Sequence, residues 1–231
     1  MQNVVLTESK MDFRSIEAFK TLRSNIEFSG SDIKSIALTS CTPNEGKSSV
    51  SFELARSFAT NGKKVLLVDA DLRKSVMKSR YKVGNIRLGL VHYLVGQRSF
   101  QDVLCETNIP DLNMIFAGPV PPNPSELLNS SKFDELLQTA RSYYNYIIID
   151  TPPLGSVIDS AVIAKKCDGV AMVIASGEIS YRFAQRVKDQ LDKAGCRILG
   201  CILNKVNMHS KGYYGKYYGK YYGKYYGKYY E

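Results

Sequence analysis

No apolar run in this 231-residue chain approaches the ~20 residues that a membrane-spanning helix requires. The most apolar stretches, 170–175 and 198–203, have the length of strands. The opening Met-Gln-Asn-Val-Val-Leu-Thr-Glu lacks a basic region followed by a long apolar one, so no secretory signal is expected. Metal-ligand spacing is missing from the cysteines, which are scattered and odd in number at 41, 105, 167, 196 and 201. They read as reduced residues, mostly in the core, of a cytoplasmic protein. Also missing are a dense arginine stripe and any RNP-like or helix-turn-helix pattern, so the formal charge of +9 is not taken as a sign of nucleic-acid binding. Residues 211–231 hold five lysines and one glutamate and supply +4 of it, leaving +5 along the rest. Such basicity suits an anionic membrane face or an acidic partner and decides nothing alone.

What the chain does have is the stretch Cys41-Thr-Pro-Asn-Glu-Gly-Lys-Ser-Ser49. An apolar run before it (Ile36, Ala37, Leu38) reads as a short buried strand. The run after it (Val50, Phe52, Leu54, Ala55, Phe58) has helical spacing. Gly46-Lys47-Ser48 has the form of the end of a phosphate-binding loop. In such a loop backbone N–H groups at a helix N-terminus hold phosphate oxygens, the lysine reaches the β and γ phosphates, and the hydroxyl ligates Mg²⁺. The first glycine of G-x-x-x-x-G-K-[ST] is replaced by Cys41. Asn44 stands where a second loop glycine is expected, and asparagine tolerates positive φ better than most residues. On this stretch alone, a chance Gly-Lys-Ser between two elements stays open.

Size and composition suit one α/β domain with a tail. Residues 1–11 read as a flexible lead-in, 12–208 as the domain and 209–231 as the tail. Phe13, Ile16, Phe19, Leu22 and Ile26 form a helical stripe, with Glu17, Lys20 and Arg23 on another face. Those charges are either a solvated, internally paired surface or a subunit contact. Lys64-Val-Leu-Leu-Val-Asp69-Ala-Asp71-Leu-Arg73 reads as a buried strand ending in acids, at the sheet edge where ligands bind. Two carboxylates so placed are costly unless they serve a cation or a proton. Helical pieces are expected at 88–95 and 100–104 and a strand at 112–117. Gly118-Pro-Val-Pro-Pro-Asn-Pro124 reads as a rigid connector, with Pro124 in the first turn of a helix that runs to about Tyr143. Tyr146-Ile-Ile-Ile-Asp150 is a third strand ending in an acid. A strand over 168–175, a helix over 180–194 and a strand over 197–203 complete a mostly parallel sheet flanked by helices. Asn204, past the last strand, either meets an adenine edge or caps the strand end.

From Gly212 the chain repeats Tyr-Tyr-Gly-Lys, placing tyrosines at 213, 214, 217, 218, 221, 222, 225, 226, 229 and 230: Tyr213, Tyr214, Tyr217, Tyr218, Tyr221, Tyr222, Tyr225, Tyr226, Tyr229 and Tyr230. A four-residue period with glycine in each unit and no aliphatic residue reads as flexible and exposed. It could stack on nucleic acid or glycans, act as an adhesive tract, or serve as a row of phosphate acceptors. Each phosphate would add about −1.5 to −2 charges, so two or three would cancel the tail's +4. A flexible coil of about twenty residues spans roughly 25 Å on average and roughly 65–70 Å when extended. That reaches a neighbouring subunit at an effective concentration on the order of millimolar.

Taken together, these residues resemble the bacterial tyrosine kinases of capsular and exopolysaccharide synthesis, in the cytoplasmic Gram-positive form. The likeness runs from about Asp12 to Glu231. Walker A corresponds to Cys41–Ser48, the additional acidic motif D-x-D-x-R to Asp69, Asp71 and Arg73, and Walker B to Asp150. The segment 121–128 and the C-terminal tyrosines also match. The subunit-contact motif E-x-x-R-x-x-R reads here Glu17-x-x-Lys20-x-x-Arg23, and lysine lacks the forked contacts of arginine. The related cell-division and partitioning ATPases carry an extra lysine early in the loop, where this chain has Thr42.

The resemblance implies a P-loop NTPase fold and an ATP- and Mg²⁺-dependent protein-tyrosine kinase that phosphorylates its own tail, mainly between subunits. Thr42, Pro43, Asn44, Glu45, Gly46, Lys47, Ser48, Ser49, Arg73 and Asn204 are then the expected nucleotide contacts. Ser48, Asp71 and Asp150 are the expected Mg²⁺ ligands, and Lys47, Asp69, Asp71 and Asp150 the catalytic set. Asp69 is the candidate for orienting or deprotonating the acceptor hydroxyl. Also implied are a homo-oligomeric ring, a membrane-embedded polysaccharide co-polymerase whose cytoplasmic tail activates the kinase at the inner membrane face, a cognate tyrosine phosphatase, and no nucleic-acid partner. The alternative is a nucleotide-switched scaffold ATPase with the tail as an interaction segment.

Overall fold

The computed structural model describes residues 1–7, 11–84 and 86–207. In chain order they form β1 (Gln2–Val4), α1 (Phe13–Phe28), β2 (Ser35–Ser40), α2 (Lys47–Ala59), β3 (Val65–Asp69), α3 (Met77–Arg80), α4 (Leu90–Leu94), α5 (Phe100–Val103) and β4 (Cys105–Thr107). There follow β5 (Leu112–Ile115), α6 (Pro124–Asn129), α7 (Ser131–Tyr143), β6 (Tyr146–Asp150), α8 (Asp159–Lys166), β7 (Gly169–Ala175), α9 (Tyr181–Lys193) and β8 (Ile198–Asn204).

Side chains alternate across a strand, so a sheet buried on both faces needs apolar residues at every position. β3 and β6 meet that requirement up to their terminal acids and β2 over Ile36–Leu38, its buried Ser35, Thr39 and Ser40 being hydrogen-bonded, and the three lie at the centre of one sheet ordered β1-β4-β5-β3-β6-β2-β7-β8. Pairing is parallel throughout except between β4 and β5. Ile36, Leu38, Leu67 and Ile148 pack to one face, against Ile26 of α1 and Val50, Phe52, Leu54 and Phe58 of α2. Ala37, Leu66, Val68, Ile147 and Ile149 pack to the other, against α4, α7, α8 and α9 through residues such as Leu90, Phe133, Ile163 and Leu191. Each fully buried Phe or Leu contributes about 1.5–3 kcal/mol relative to exposure, which anchors the strand ends that carry the acids.

The chain leaves β2 through α2, enters β3 beyond the place later filled by β6, and returns through β6 to β7. The carboxyl ends of β2, β3 and β6 therefore meet at one crevice, the usual ligand position in such sheets.

Three local expectations are corrected. The start of the expected lead-in is an edge strand: Gln2–Val4 pair in parallel with β4, and the Gln2 side chain donates to the Leu88 carbonyl at 3.0 Å. The helix expected to run unbroken from Pro124 is interrupted at Ser130, whose ψ of 160° is extended and whose hydroxyl donates to the Leu127 carbonyl. A helix over Asp159–Lys166, not expected, covers β7. The tyrosine repeat lies outside the described residues. Among the described residues no helix is long and apolar enough to cross a membrane. The five cysteines are free, with Cys41, Cys105 and Cys196 buried.

Candidate active site

The phosphate loop joins β2 to α2 and is braced from within. Glu45 is buried, and its carboxylate accepts from the Thr42 N–H on one side and the Ala175 N–H at 2.9 Å on the other. Asn44 takes φ 67° and Gly46 φ 88°, so the asparagine does adopt the left-handed turn that its side chain tolerates. Glycine at 46 is required twice over. A Cβ there would sit 2.2 Å from the Asn204 side-chain nitrogen, and the backbone is in the region that only glycine enters freely. Asn204 itself donates to the Glu45 carbonyl at 2.8 Å, which clamps the loop to the end of β8. Cys41, in place of the usual first glycine, is fully buried, and burial pushes its thiol up to about 12. It is inert packing.

Lys47 and Ser48 open α2 and are both buried. The Lys47 ammonium lies 2.8 Å from Asp150 Oδ1. Ser51, one turn along α2, donates to the same oxygen at 3.0 Å. Ser49 is held at the rim by Arg80, at 2.7 Å. The Pro43 and Asn44 side chains are exposed at the outside of the loop.

Asp69 and Asp150 stand opposite each other in the β3–β6 register. Asp69 is fully buried; Ser75 donates to its Oδ2, while its Oδ1 has no partner. Burial, and then the charge of Asp150, push its pKa up to about 7, against the opposing pull of Ser75 and Lys47. Asp71 is also buried and accepts from the Lys74 N–H at 2.9 Å. The structure thus gathers Lys47, Ser48, Asp69, Asp71 and Asp150 at one edge.

Arg73 is engaged within the chain. Its guanidinium grips Asp159 in a forked pair at 2.8 and 3.1 Å and also reaches the Ser125 hydroxyl at 3.1 Å. Burial works against the charge on Asp159, but Arg73 and Ser125 outweigh it and hold its pKa below the ordinary value. Arg73 is a strut from the acidic loop to α6 and α8. The α1 charges are likewise partly spent inside the chain: Lys20 pairs with Glu17 at 2.7 Å, and Arg23 donates to the Ser57 carbonyl of α2 at 2.8 Å.

The oxygen-only donors Ser48, Asp71 and Asp150 suit a hard cation. Among the described residues no group of three or more His, Cys, Asp or Glu could cage a metal alone.

The model of a family described as an AAA domain matches residues 33–193. A Streptococcus agalactiae protein named tyrosine-protein kinase CpsD is 45% identical over 199 residues, covering 86% of each chain. The chain belongs to the bacterial tyrosine-protein kinase family. It is accordingly a protein-tyrosine kinase. The solved kinase domain of the Escherichia coli tyrosine kinase ETK superposes with a TM-score of 0.81 at 29% identity, covering 91% of both chains. The Pyrococcus horikoshii septum site-determining protein MinD, solved with Mg-ADP, is 23% identical with a TM-score of 0.65 and shows shared fold alone.

Several of the kinase's site residues were not expected. Ser51 carried a usable signal, since it is four residues from Lys47 on the same face of a helix. Asp159 and Ser125 carried none, because only tertiary packing brings them to Arg73. Ser75 had no signal either: nothing local turns its hydroxyl back to Asp69.

Proposed function

We propose that this kinase transfers the γ-phosphoryl group of ATP to the tyrosines of its own C-terminal repeat, mainly between subunits, and so regulates capsular or extracellular polysaccharide synthesis and export. The observation that carries the reading is the convergence of Lys47, Ser48, Asp69 and Asp150 at one sheet edge in a chain ending with ten repeated tyrosines.

When bound, Mg²⁺ would supply charge neutralisation on the phosphates, held by Ser48, Asp71 and Asp150 directly or through water. Lys47 exchanges Asp150 for phosphate oxygens when the nucleotide arrives, and the N–H groups at the start of α2 bind the phosphates. Asp69, with one oxygen tethered by Ser75 and the other open, orients the phenolic hydroxyl and accepts its proton. Little covalent chemistry falls to the protein in such a transfer, so positioning and electrostatics supply the rate. Glu45, Asn204 and Arg73 contribute by keeping the loop and the acids rigid.

Family membership also supports a membrane-embedded co-polymerase partner whose cytoplasmic tail stimulates the kinase at the inner membrane face, a ring of subunits and a cognate phosphatase. The experiment mixes two full-length variants with Mg-ATP: one with its ten tail tyrosines changed to Phe, the other Lys47→Met. Mass spectrometry is expected to find phosphate on the tail of the Lys47→Met chain. An unlabelled tail, with the wild-type chain labelled alone, would replace transfer between subunits by transfer within one. If no tyrosine is labelled even in wild type, the tail-transfer reading gives way to the alternative of a nucleotide-switched scaffold ATPase.

A further inference from the structure

β8 ends the sheet, and among the described residues no strand pairs with its outer side. Such an edge presents a row of unpaired N–H and C=O groups, a ready template for another strand, and natural edges are guarded by being short, charged, bulged or covered. The opposite edge, β1, is three residues long. β8 is seven residues long, and 198–204 holds neither a charged residue nor a proline. Its register shift lies opposite Val170 and Ala171, after which Gly200–Asn204 pair regularly with Ala171–Ala175. Cys201 is exposed, Leu203 is 42% exposed, and a Cβ built on Gly200 would meet nothing within 4 Å.

The segment that fits this edge is the one that follows it. The chain leaves β8 through Lys205 at φ 55°, the left-handed conformation common in hairpin connections, and residues 208–231 come next. A strand matched to Gly200–Asn204 spans about 17 Å, well within the length of the repeat. In an extended repeat, Tyr213, Gly215 and Tyr217 fall on one face and Tyr214, Lys216 and Tyr218 on the other. The first face carries no charge and suits the apolar edge. Attachment to the same chain sets an effective concentration on the order of millimolar, so this repeat reaches the edge ahead of another copy's. A phosphorylated repeat fits badly, because each phosphate brings about −1.5 to −2 charges and finds no unspent cation. Lys188, Arg197 and Lys205, which flank β8, already have acidic partners in Asp192, Asp32 and Glu178.

We propose that the free edge of β8 is the resting dock of the chain's own unmodified repeat, which adds to the sheet as a further, antiparallel strand and is released when its tyrosines are phosphorylated. Main-chain hydrogen bonds supply the affinity, and the side chains on alternate faces supply the preference for the unmodified form. An antiparallel strand beside β8 runs from the carboxyl edge of the sheet, where the acids lie, back toward the amino edge. A docked repeat is thereby carried away from the crevice. The dock is a binding surface, whichever kinase modifies the tail.

The test compares wild type with two full-length variants, all free of phosphate and nucleotide. One combines Tyr213→Pro, Tyr218→Pro, Gly223→Pro and Tyr226→Pro, which removes N–H groups from both sides of the added strand at unchanged charge. The other combines Tyr213→Phe, Tyr218→Phe, Gly223→Ala and Tyr226→Phe, which leaves them in place. Mass spectrometry reads hydrogen exchange over 198–204 and alkylation of Cys201 by N-ethylmaleimide. Both are expected to be about tenfold faster in the proline variant than in wild type, and unchanged in the other. Wild-type rates should not vary with protein concentration, and wild type phosphorylated on its tail by an unrelated tyrosine kinase should match the proline variant. Equal rates in wild type and the proline variant overturn the dock. Protection that grows with concentration overturns its assignment to the chain's own repeat, and protection that survives phosphorylation overturns the release. None of these results bears on transfer to the tail, which the mixing experiment above decides.

Discussion

Asp69 and Asp150 end neighbouring parallel strands in matched register, and water reaches neither. One is a carboxylate gripped by Lys47 and Ser51; the other keeps an unpartnered oxygen and is pushed up to about 7. Position and burial are shared, so the difference comes from partners. Burial first, and then the charge of Asp150, raise Asp69 to about 7, where near neutral pH its carboxyl can both give up and take a proton. One strand end therefore suits a metal and phosphate, and the adjacent one suits the acceptor proton.

The sharpest way to break this contrast is to remove the cation. Lys47→Met leaves Asp150 buried without its counter-charge, which is expected to cost about 3–5 kcal/mol of stability and to abolish tail phosphorylation. Adding Asp150→Asn to Lys47→Met should restore most of the stability in urea unfolding and none of the transfer. An unchanged unfolding midpoint in Lys47→Met alone would show that the pair is not what holds the acid.

Asp159 offers a third case, buried like Asp69 but paired like Asp150. Because Arg73 is 41% exposed, part of its contribution is screened, and Arg73→Ala is expected to cost about 1–3 kcal/mol. The second half of the expectation concerns the ligand. Nucleotide affinity in the folded variant should fall less than fivefold, since the guanidinium is already committed to Asp159 and Ser125. Arg73→Lys should recover only part of the stability, a lysine being unable to reproduce the fork.

Removing the strain at Asp69 should stabilise. A carboxyl whose folded pKa is raised favours the protonated native state. Its contribution is fully present below the unfolded value of 3.8 and is lost as pH climbs through about 7. In nucleotide- and Mg²⁺-free protein, Asp69→Asn is expected to gain on the order of 2–4 kcal/mol at pH 8 and almost nothing at pH 4. Tail phosphorylation should be lost at both. Parallel pH-stability curves for variant and wild type would mean that Asp69 is ionised in the folded chain.

The contrast also marks what could be read from the chain directly. Central strands announce themselves as short apolar runs, and an acid closing such a run is conspicuous, which is why Asp69, Asp71 and Asp150 were legible. So was the left-handed turn at Asn44. A strand of three residues carries no such pattern: β1 exists because Gln2 meets Cys105 across the whole first half of the domain. Arg73 was expected at the nucleotide from the family resemblance, and the partner that holds it here lies 86 residues away. Asn204 likewise has a partner that its spacing did not show. Strand order brings it to the phosphate loop, and its amide is used there by the Glu45 carbonyl. Motif spacing names the groups at a sheet edge; it does not say which of them are already spoken for.

The smallest expected effect separates Lys20 from Arg23, two cations on one face of α1. Lys20 is exposed and meets only Glu17 of its own helix, an arrangement that contributes about 0.3–0.5 kcal/mol. Arg23 instead braces α1 on α2 through the Ser57 carbonyl. Arg23→Ala should therefore cost about 1 kcal/mol of stability, and Lys20→Ala less than half of that. Light scattering adds a second axis. If this face joins subunits, Lys20→Ala weakens assembly although it barely touches the fold, because a charge pair that contributes little within one molecule is free to turn to another. Unaltered assembly in Lys20→Ala would leave Glu17 and Lys20 as a solvated pair, and would move the contact surface off this face of α1.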